Sequence, residues 1–369
     1  MITTQIKSET YALKSIAAQN MEAPVLPYLP PAPRHYKPRI GLIGAGGISA
    51  SHLDAYRKAG WEVAAICNRT LSKAMERAEH FAPSASVTTF YEDILNDASI
   101  DVVDITLHPV ERGPLIDAAL KAGKHVLSQK PFVLDLAEGT RLVRLAQAQG
   151  VKLAVNQNGR WAPHLAWMRE AVRAGLIGDV LSVHVSVHWN HGWIAGTPFE
   201  QNKDLILYDF GIHWFDFISS IVGDRLQSVF ATATSARAQI AKVPLLAQAL
   251  IQFGGGHASA NFDGSTLHGP RDTTFIAGTK GSLHSTGIDL GAQTVTLTTQ
   301  KGQTQPVLEG TWFNDGFRGS MGALLVAIEE NSEPANGALE NLRSLALAFA
   351  AIQSSRTGQQ VAFGEATRL

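Results

Sequence analysis

The feature that most restricts the fold of this chain is a glycine-rich segment that directly follows a short apolar run. The segment reads IGLIGAGGIS over residues 40–49. Gly44 permits a tight turn, and Gly46 lets the backbone approach a pyrophosphate at the N-terminus of the following helix, where free N–H groups and the helix dipole favour an anion. Gly47 and Ile48 continue the turn. The pattern predicts a dinucleotide-binding turn; the alternative is a glycine-rich turn that holds no ligand.

The order of apolar and helical stretches indicates two regions of different architecture. Predicted strands alternate with predicted helices, the strands at 40–43, 63–67, 102–106, 125–128 and 153–155 and the helices at 48–59, 72–81, 115–122 and 135–149. This alternation predicts an α/β fold with an N-terminal Rossmann dinucleotide-binding domain over residues 39–158. Beyond it, strands follow one another without intervening helices. This predicts an α+β domain over residues 159–369 with a large, mostly antiparallel, open-faced sheet.

The clearest strand of the second region, residues 180–189, alternates strictly. Val183, Val187 and Trp189 point to one side, and His184 and His188 point to the other. One face of the predicted sheet therefore packs on helices. The other face, rich in Ser, Thr and Ala, is available to another subunit.

Two terminal segments stand apart from this pattern. Residues 1–38 form a proline-rich N-terminal arm that cannot supply a central strand. The arm is either a flexible tail or a segment that packs four large apolar side chains onto its own domain or a partner, namely Val25, Leu26, Tyr28 and Leu29. At the other end, we expect a helix at about 341–357 that packs back on the first domain.

Charge and cysteine content exclude several classes of protein. Lys plus Arg number 31 and Asp plus Glu number 32, so the net charge of −1 gives no general attraction to nucleic acid or to an anionic membrane. The single cysteine, Cys67, rules out a disulfide within the chain. No apolar run reaches the ~18 residues that span a bilayer. Residues 1–20 lack the apolar core of a secretory signal, so we expect a cytoplasmic protein.

The end of the second predicted strand bears on the choice between NAD and NADP. An acidic residue at this position would bind the ribose 2′-hydroxyl of NAD, but the chain has Asn68 followed by Arg69. No carboxylate repels a 2′-phosphate, and the guanidinium of Arg69 can pair with one. Asn68 can also hydrogen-bond a free ribose. The sequence thus predicts that NAD or NADP is the cofactor, with a slight preference for NADP.

Three residues are candidates for the chemistry. Lys130 comes directly after a buried strand of the nucleotide domain and before Pro131, where ligands of open α/β sheets bind. Asp209 and His213 are four residues apart and would share one face of a helix. A lysine, an aspartate and a histidine together can orient a hydroxyl group and move its proton. The alternatives are a surface lysine, a helix-capping aspartate and a core histidine.

With these motifs in this order, residues 39–360 resemble the glucose–fructose oxidoreductase, inositol dehydrogenase and rhizopine-catabolism (Gfo/Idh/MocA) family. The resemblance implies an open second sheet, sugar, polyol or related substrates, and homodimers or homotetramers joined through that sheet. It also implies that Lys130, Asp209 and His213 form the catalytic group.

The chain departs from the pattern of this family in three places. Gln129 replaces the usual glutamate before Lys130, so it can hydrogen-bond but supplies no negative charge beside the lysine. Residues 201–205 replace a glycine-rich approach to the aspartate with polar and charged side chains. Leu107 and His108 replace a Thr-Pro-Asn turn and are expected to flank the nicotinamide. Gln129, Leu107 and His108 are therefore predicted cofactor contacts that differ from the family.

Further candidates lie at the junction of the two regions and after the long strand. Gln157 and Lys130 are predicted to contact the cofactor. The predicted substrate-binding residues, besides the catalytic three, are Arg160, Trp161, His188, Asn190 and Trp193. Arg160 and Trp161 could instead belong to a packed interdomain hinge. Three histidines near residues 184–191 invite a metal interpretation, but they lack a nearby carboxylate, so no metal is predicted.

Taken together, the sequence predicts an NAD(P)-dependent dehydrogenase or reductase that acts on a secondary alcohol or ketone of a sugar, polyol or glycoside. Two alternatives remain open. One is a non-catalytic dinucleotide-binding regulator on the same fold. The other is a reductase of a non-sugar imine or semialdehyde, for which Arg160 or Lys203 could anchor a charged substrate.

Overall fold

The computed structural model describes residues 19–289 and 291–369. In this part of the chain the first region forms a six-stranded, fully parallel sheet in the order β3-β2-β1-β4-β5-β6. Its strands are β1 (Arg39–Ile43), β2 (Glu62–Cys67), β3 (Ser86–Thr88), β4 (Val102–Ile105), β5 (His125–Gln129) and β6 (Leu153–Asn156). The connecting helices are α1 (Ser49–Ala59), α2 (Leu71–Phe81), α3 (Tyr91–Asn96), α4 (Pro109–Lys121) and α5 (Leu136–Gln149). The strand order reverses direction between β1 and β4, which is the switch point where such sheets bind ligands.

The second region is built on a large sheet in which one pair of strands, β7 and β10, is parallel and the other pairs are antiparallel. Its order over the described residues is β14-β13-β12-β11-β7-β10-β9-β8-β15. The strands are β7 (Val180–His188), β8 (Leu226–Thr234), β9 (Leu246–Phe253), β10 (Gly256–Asp263), β11 (Arg271–Gly278), β12 (Gly281–Gly287), β13 (Gln293–Thr299), β14 (Gly302–Thr304) and β15 (Val361–Ala362). The predicted fold class is confirmed.

Helices cover one face of this sheet and join it to the first region. They are α6 (Pro163–Arg173), α7 (Ile212–Val222), α8 (Trp312–Glu329) and α9 (Ala338–Thr357). The α9 helix contacts α7 and β8 on one side and α5 and β6 on the other, while α8 packs on α1. The α9 helix therefore holds the nucleotide domain against the second sheet, and α8 packs on the nucleotide domain beside it. No described helix is long and apolar enough to cross a membrane.

The α8 helix was not among the predicted elements, and it contains three glycines at a spacing of three residues. Gly316, Gly319 and Gly322 allow close packing: a Cβ at Gly319 would lie 2.3 Å from the Trp161 ring, and one at Gly322 would lie 2.0 Å from the Pro31 carbonyl oxygen. Glycines at a spacing of three residues thus mark a tightly packed helix face.

The N-terminal arm packs on its own chain over its described residues. Glu329, at the end of α8, accepts hydrogen bonds from the backbone N–H groups of Arg34, His35 and Tyr36 at 2.6 to 2.8 Å. Of the four apolar side chains considered above, Leu26 and Tyr28 pack against the core. Val25 and Leu29 are exposed. Residues 1–18 lie outside the described part of the chain.

One buried acid in the second sheet leads to a stability prediction. Asp272 on β11 is fully buried, and neither carboxylate oxygen has a hydrogen-bond partner among the described residues. Burial raises the pKa of Asp272 to about 7. The pKa of Asp272 is thus higher in the folded state than in the unfolded state. The free energy of unfolding is therefore greatest at low pH, where the carboxyl is protonated, and falls as the pH rises toward 7.

Asp272→Asn should therefore raise the unfolding free energy by about 2–4 kcal/mol at pH 8, where the parent carboxyl is ionised, and change it little at pH 4. Urea unfolding at both pH values is the measurement. Asp224→Asn, at a largely exposed carboxylate, is the matched control. An equal change at both pH values would show that the ionisation of Asp272 does not limit stability.

Candidate functional site

The glycine-rich turn has the geometry that a bound diphosphate requires. Gly44 has a backbone φ of +109°, and a Cβ at this position would lie 2.8 Å from Thr106 Oγ1, so only glycine fits. Within the described residues, a Cβ at Gly46 or Gly47 would meet nothing within 4 Å. The N-terminus of α1 receives no hydrogen bond from a described capping side chain. Open space therefore coincides with a helix N-terminus that has no side-chain cap, and the turn fits a dinucleotide phosphate.

A cavity of about 480 Å³ continues from this turn toward the end of β2. Gly44, Asn68, Arg69 and Leu107 are among the residues that line it. Asn68 is held in place, because its Oδ1 accepts a hydrogen bond from the Ala45 N–H at 3.0 Å. The side chain of Arg69 is 86% exposed and lies 3.1 Å from the Glu111 carboxylate. The cavity is placed to hold the adenosine half of the dinucleotide.

Lys130 and Asp209 form an ion pair between the two regions. Lys130 Nζ donates to the Asp209 carbonyl oxygen at 2.8 Å and to its Oδ2 at 3.2 Å, and both side chains are more than four-fifths buried. Lys130 follows β5 and precedes a cis peptide bond to Pro131. Asp209 thus supplies the negative charge beside Lys130 that Gln129 lacks.

His213 lies beside this pair but is held by a different residue. Gln157 Nε2 lies 3.2 Å from His213 Nδ1 and can only donate there, which leaves the Nε2 of His213 as the protonated nitrogen of the neutral ring. Burial and the nearby Lys130 lower the pKa of His213 well below its ordinary value. His213 is therefore a neutral hydrogen-bond donor at physiological pH.

The expectation that Asp209 and His213 share a face of one regular helix is wrong in detail. Asp209 belongs to a π-helical turn (Ile206–Phe210) that precedes α7, and His213 belongs to α7 itself. No hydrogen bond joins the two side chains in the described structure. The wider turn directs Asp209 to Lys130 instead, in keeping with the frequent use of π-turns at functional sites.

Gln129 faces away from Lys130 Nζ and into a buried network. Its Nε2 lies 3.1 Å from His52 Nε2, and its Oε1 accepts from the Lys130 N–H at 2.6 Å. His52 Nδ1 lies 2.7 Å from Asp104 Oδ2, and Asn156 Nδ2 also approaches His52 Nε2, at 3.0 Å. Gln129 therefore hydrogen-bonds the backbone of Lys130 from within this buried network, and its side chain is not placed to contact a ligand.

Lys130, Asp209 and His213 line a cavity of about 570 Å³, together with Ile48 of the glycine-rich turn. A third cavity, of about 640 Å³, shares Asp209 with it and shares Glu111 with the adenosine cavity. His108 and residues 201–205 line this third cavity. Because neighbouring cavities share residues, the three form one cleft that runs from Asn68 to the ion pair.

Most of the remaining wall of the 570 Å³ cavity is aromatic, and sequence reasoning identified only Trp193 of it. The side chains that it missed are Asn158, Trp189, His191, Phe199, Phe210, Trp214, Pro270, Ile288, Asp289, Trp312 and Phe313. The alternation along β7 could have revealed one of them. It places Trp189 on the helix-facing side with Val187, and it places His188 on the open side.

The structure corrects four of the predicted substrate contacts. Arg160 is 5% exposed and forms a two-pronged ion pair with Asp216 at 2.8 and 2.9 Å. Trp161 is 6% exposed and packs on Gly319. His188 lies on the open face near Asp263, and Asn190 Oδ1 accepts from the Gly192 N–H. None of these four side chains lines the 570 Å³ cavity.

No group of three or more His, Cys, Asp or Glu side chains in the described residues is arranged to hold a metal ion. His184 and His257 are neighbours on the open face, with ring centroids 5.4 Å apart, whereas His191 stacks on Phe210 inside the cavity.

Comparisons with known proteins agree with this geometry. Residues 38–157 match a family model described as the oxidoreductase family with an NAD-binding Rossmann fold, and residues 165–284 match the GFO/IDH/MocA C-terminal domain. Together the two models match more than half of the chain.

Three relatives and one solved structure illustrate the similarity. D-apiose dehydrogenase from Paraburkholderia graminis is 31% identical over 52% of this chain and 52% of its own length. 1,5-Anhydro-D-fructose reductase from Ensifer adhaerens is 28% identical over 87% of this chain and 97% of its own. Inositol 2-dehydrogenase from Corynebacterium glutamicum is 30% identical over 52% of this chain and 56% of its own length. The chain thus spans about half the length of the first and third of these relatives.

The solved structure is an oxidoreductase from Agrobacterium radiobacter in complex with NAD+, L-tartaric acid and magnesium. It superimposes on this chain with a TM-score of 0.80 at 22% sequence identity. The superposition covers 89% of this chain and 99% of the solved chain. The two proteins therefore share a fold.

Proposed function

Because the chain belongs to the Gfo/Idh/MocA oxidoreductase family, we propose that it is an NAD(P)-dependent dehydrogenase or reductase of a secondary alcohol or ketone on a sugar, polyol or glycoside. The observation that carries the proposal is the convergence of Lys130, Asp209 and His213 on one cavity that adjoins a diphosphate-binding turn. The names of the relatives, which are dehydrogenases and reductases of sugars and polyols, support it.

Lys130, Asp209 and His213 have different roles in the transfer of one proton. The bound nicotinamide supplies the hydride chemistry. The neutral amine of Lys130 accepts the hydroxyl proton when an alcohol is oxidised, and its ammonium form returns a proton when a ketone is reduced. Asp209 accepts a hydrogen bond from Lys130 Nζ and so positions it. His213, a neutral donor, hydrogen-bonds the same oxygen.

The experiment that tests the function is a two-step screen. Thermal shift with NAD, NADH, NADP and NADPH identifies the cofactor, since a ligand that binds only the folded state raises its stability. Sugars, polyols and glycosides are then offered with that cofactor while reduced nicotinamide is followed by absorbance. Cofactor binding without turnover of any compound would favour the non-catalytic regulator. Turnover of imines or semialdehydes alone would favour the second alternative, for which Lys203 remains an available anchor and Arg160 does not.

A preference for NADP rests on Arg69, which is exposed at the mouth of the adenosine cavity. Arg69→Ala should raise KM for NADPH about tenfold, the equivalent of one charge-assisted hydrogen bond, and change KM for NADH less than about twofold. Arg237→Ala, at an exposed arginine remote from the cleft, is the control. Equal effects on the two cofactors, or a strong NADH preference in the parent, would reject the NADP assignment.

The open face of the second sheet is the proposed subunit interface of a homodimer or homotetramer. Phe230, Leu250 and Phe275 are 39 to 61% exposed there, on β8, β9 and β11. The molecular mass of the assembly in solution is the measurement, and the mass of a single chain would contradict the proposed interface. The cytoplasmic location likewise remains a prediction.

A further inference from the structure

The mouth of the 570 Å³ cavity is apolar, although its inner end carries the proton-moving groups. Trp193, Ile288 and Phe313 line this mouth, here called the apolar rim, and their side chains are 56, 62 and 47% exposed. They come from three separate segments of the chain: a 3₁₀ turn, the end of β12 and the start of α8. Exposed apolar side chains that converge at the entrance of a binding cavity indicate a contact surface for a ligand.

Two of the rim residues are held in place before any ligand arrives. The Trp193 ring packs edge-on against Phe199, with centroids 5.4 Å apart, and the Phe313 ring packs against Phe317 at 5.6 Å. Rings that are fixed in advance lose little conformational freedom on binding. The rim is therefore suited to stacking a flat group.

The inner part of the cavity suits a hydroxylated ring. Lys130, Asp209 and His213 supply polar groups there, and the indoles of Trp189, Trp214 and Trp312 pack edge-on against one another behind them, which makes the inner wall rigid. At the rim, by contrast, a free sugar would turn its hydroxyl groups toward apolar side chains, where they find no hydrogen-bond partner. Asp289, which also lines the cavity, accepts the N–H groups of Gly291 and Ala292 through its Oδ1.

From this division of polar and apolar groups we infer that the substrate is a glycoside with an aromatic aglycone, whose sugar ring lies at Lys130 and whose aglycone stacks in the apolar rim. The inference rests on the proposed function. In the reaction, the carbinol C–H bond breaks and its electron pair leaves as hydride to the oxidised nicotinamide cofactor. The hydroxyl proton passes to the Lys130 site, and the C–O single bond becomes the carbonyl. The glycosidic bond is not broken.

The test compares glycosides that differ only in the aglycone. Phenyl and methyl β-D-glycosides of glucose, galactose and xylose are assayed with the full chain and its preferred cofactor. We expect kcat/KM for the phenyl glycoside of the favoured sugar to exceed that for its methyl glycoside by about ten- to a hundredfold, in line with burial of one aromatic ring. Trp193→Ala should reduce this ratio about tenfold, and Trp193→Phe should restore most of it. Ile240→Ala, at an apolar side chain that is 82% exposed and outside the cleft, should leave the ratio unchanged.

Each other outcome has a distinct meaning. Equal kcat/KM for phenyl and methyl glycosides would overturn the aglycone site and leave the dehydrogenase intact. Turnover of free sugars or polyols but of none of these glycosides would likewise overturn the aglycone site, whereas a chain that binds cofactor but oxidises no glycoside, sugar or polyol would contradict the proposed function itself.

Discussion

Replacing Lys130 with methionine is expected to lower kcat by about 10²–10⁴-fold, the usual contribution of a positioned proton-transfer group. Methionine keeps the length and apolar character of the side chain but removes the only part of it that contacts Asp209. Cofactor affinity should change by less than about threefold, because the diphosphate turn and the adenosine cavity are untouched.

The measurement is steady-state turnover with the favoured substrate, together with fluorescence titration of reduced cofactor. Lys301→Met, at an exposed lysine far from the cleft, should turn over like the parent. Near-normal kcat in Lys130→Met would remove this lysine from the proton transfer.

The second large effect concerns stability. Arg160→Met should lower the unfolding free energy by about 3–5 kcal/mol, because it leaves the Asp216 carboxylate buried without its partner. Asp216 also accepts from Ser344 Oγ at 2.8 Å, so the unpaired charge cannot turn toward solvent. The double variant Arg160→Met/Asp216→Leu should recover most of the loss, since it removes both charges.

Urea unfolding of Arg160→Met, of Asp216→Leu and of the double variant measures this coupling. Arg57→Met, at an exposed pair with Asp54, should cost less than about 1 kcal/mol. If Arg160→Met instead kept the stability of the parent and raised only KM for the substrate, Arg160 would be a substrate ligand, as the sequence predicted.

The fold could be predicted largely from local patterns. A strand with alternating valines such as β7, and a glycine turn between a strand and a helix, each follow from the chemistry of a few adjacent residues. The C-terminal helix was expected at 341–357 and spans Ala338–Thr357. The α8 helix was missed because its glycines serve contacts with Trp161 and Pro31, which are remote in sequence.

The candidate site could be predicted only in part, for the same reason. Lys130, Asp209 and His213 stand in motifs, and the structure brings them to one cavity. The partner of each was not visible in the sequence: Asp209 binds Lys130, Gln157 holds His213, and Gln129 holds the backbone of Lys130.

Most of the aromatic side chains that line the 570 Å³ cavity could not be identified from local sequence patterns. Trp312 lies more than a hundred residues from Lys130 and comes from the helix that the pattern did not reveal. Conversely, Arg160 has the side chain of an anion ligand, but its partner Asp216, on α7, makes it a structural residue. Tertiary contacts, not residue type, decide which polar side chains face the ligand.

The transfer of hydrogen from the substrate carbon to the cofactor tests the proposed dehydrogenase most directly. A phenyl glycoside or polyol that carries deuterium on the reacting carbon is incubated with the chain and the oxidised cofactor. We expect reduced cofactor that carries this deuterium at C4 of the nicotinamide, at a rate that falls together with kcat in Lys130→Met. Cofactor that binds tightly yet gains no deuterium from any sugar, polyol or glycoside would contradict the proposal and would indicate a dinucleotide-binding protein without this activity.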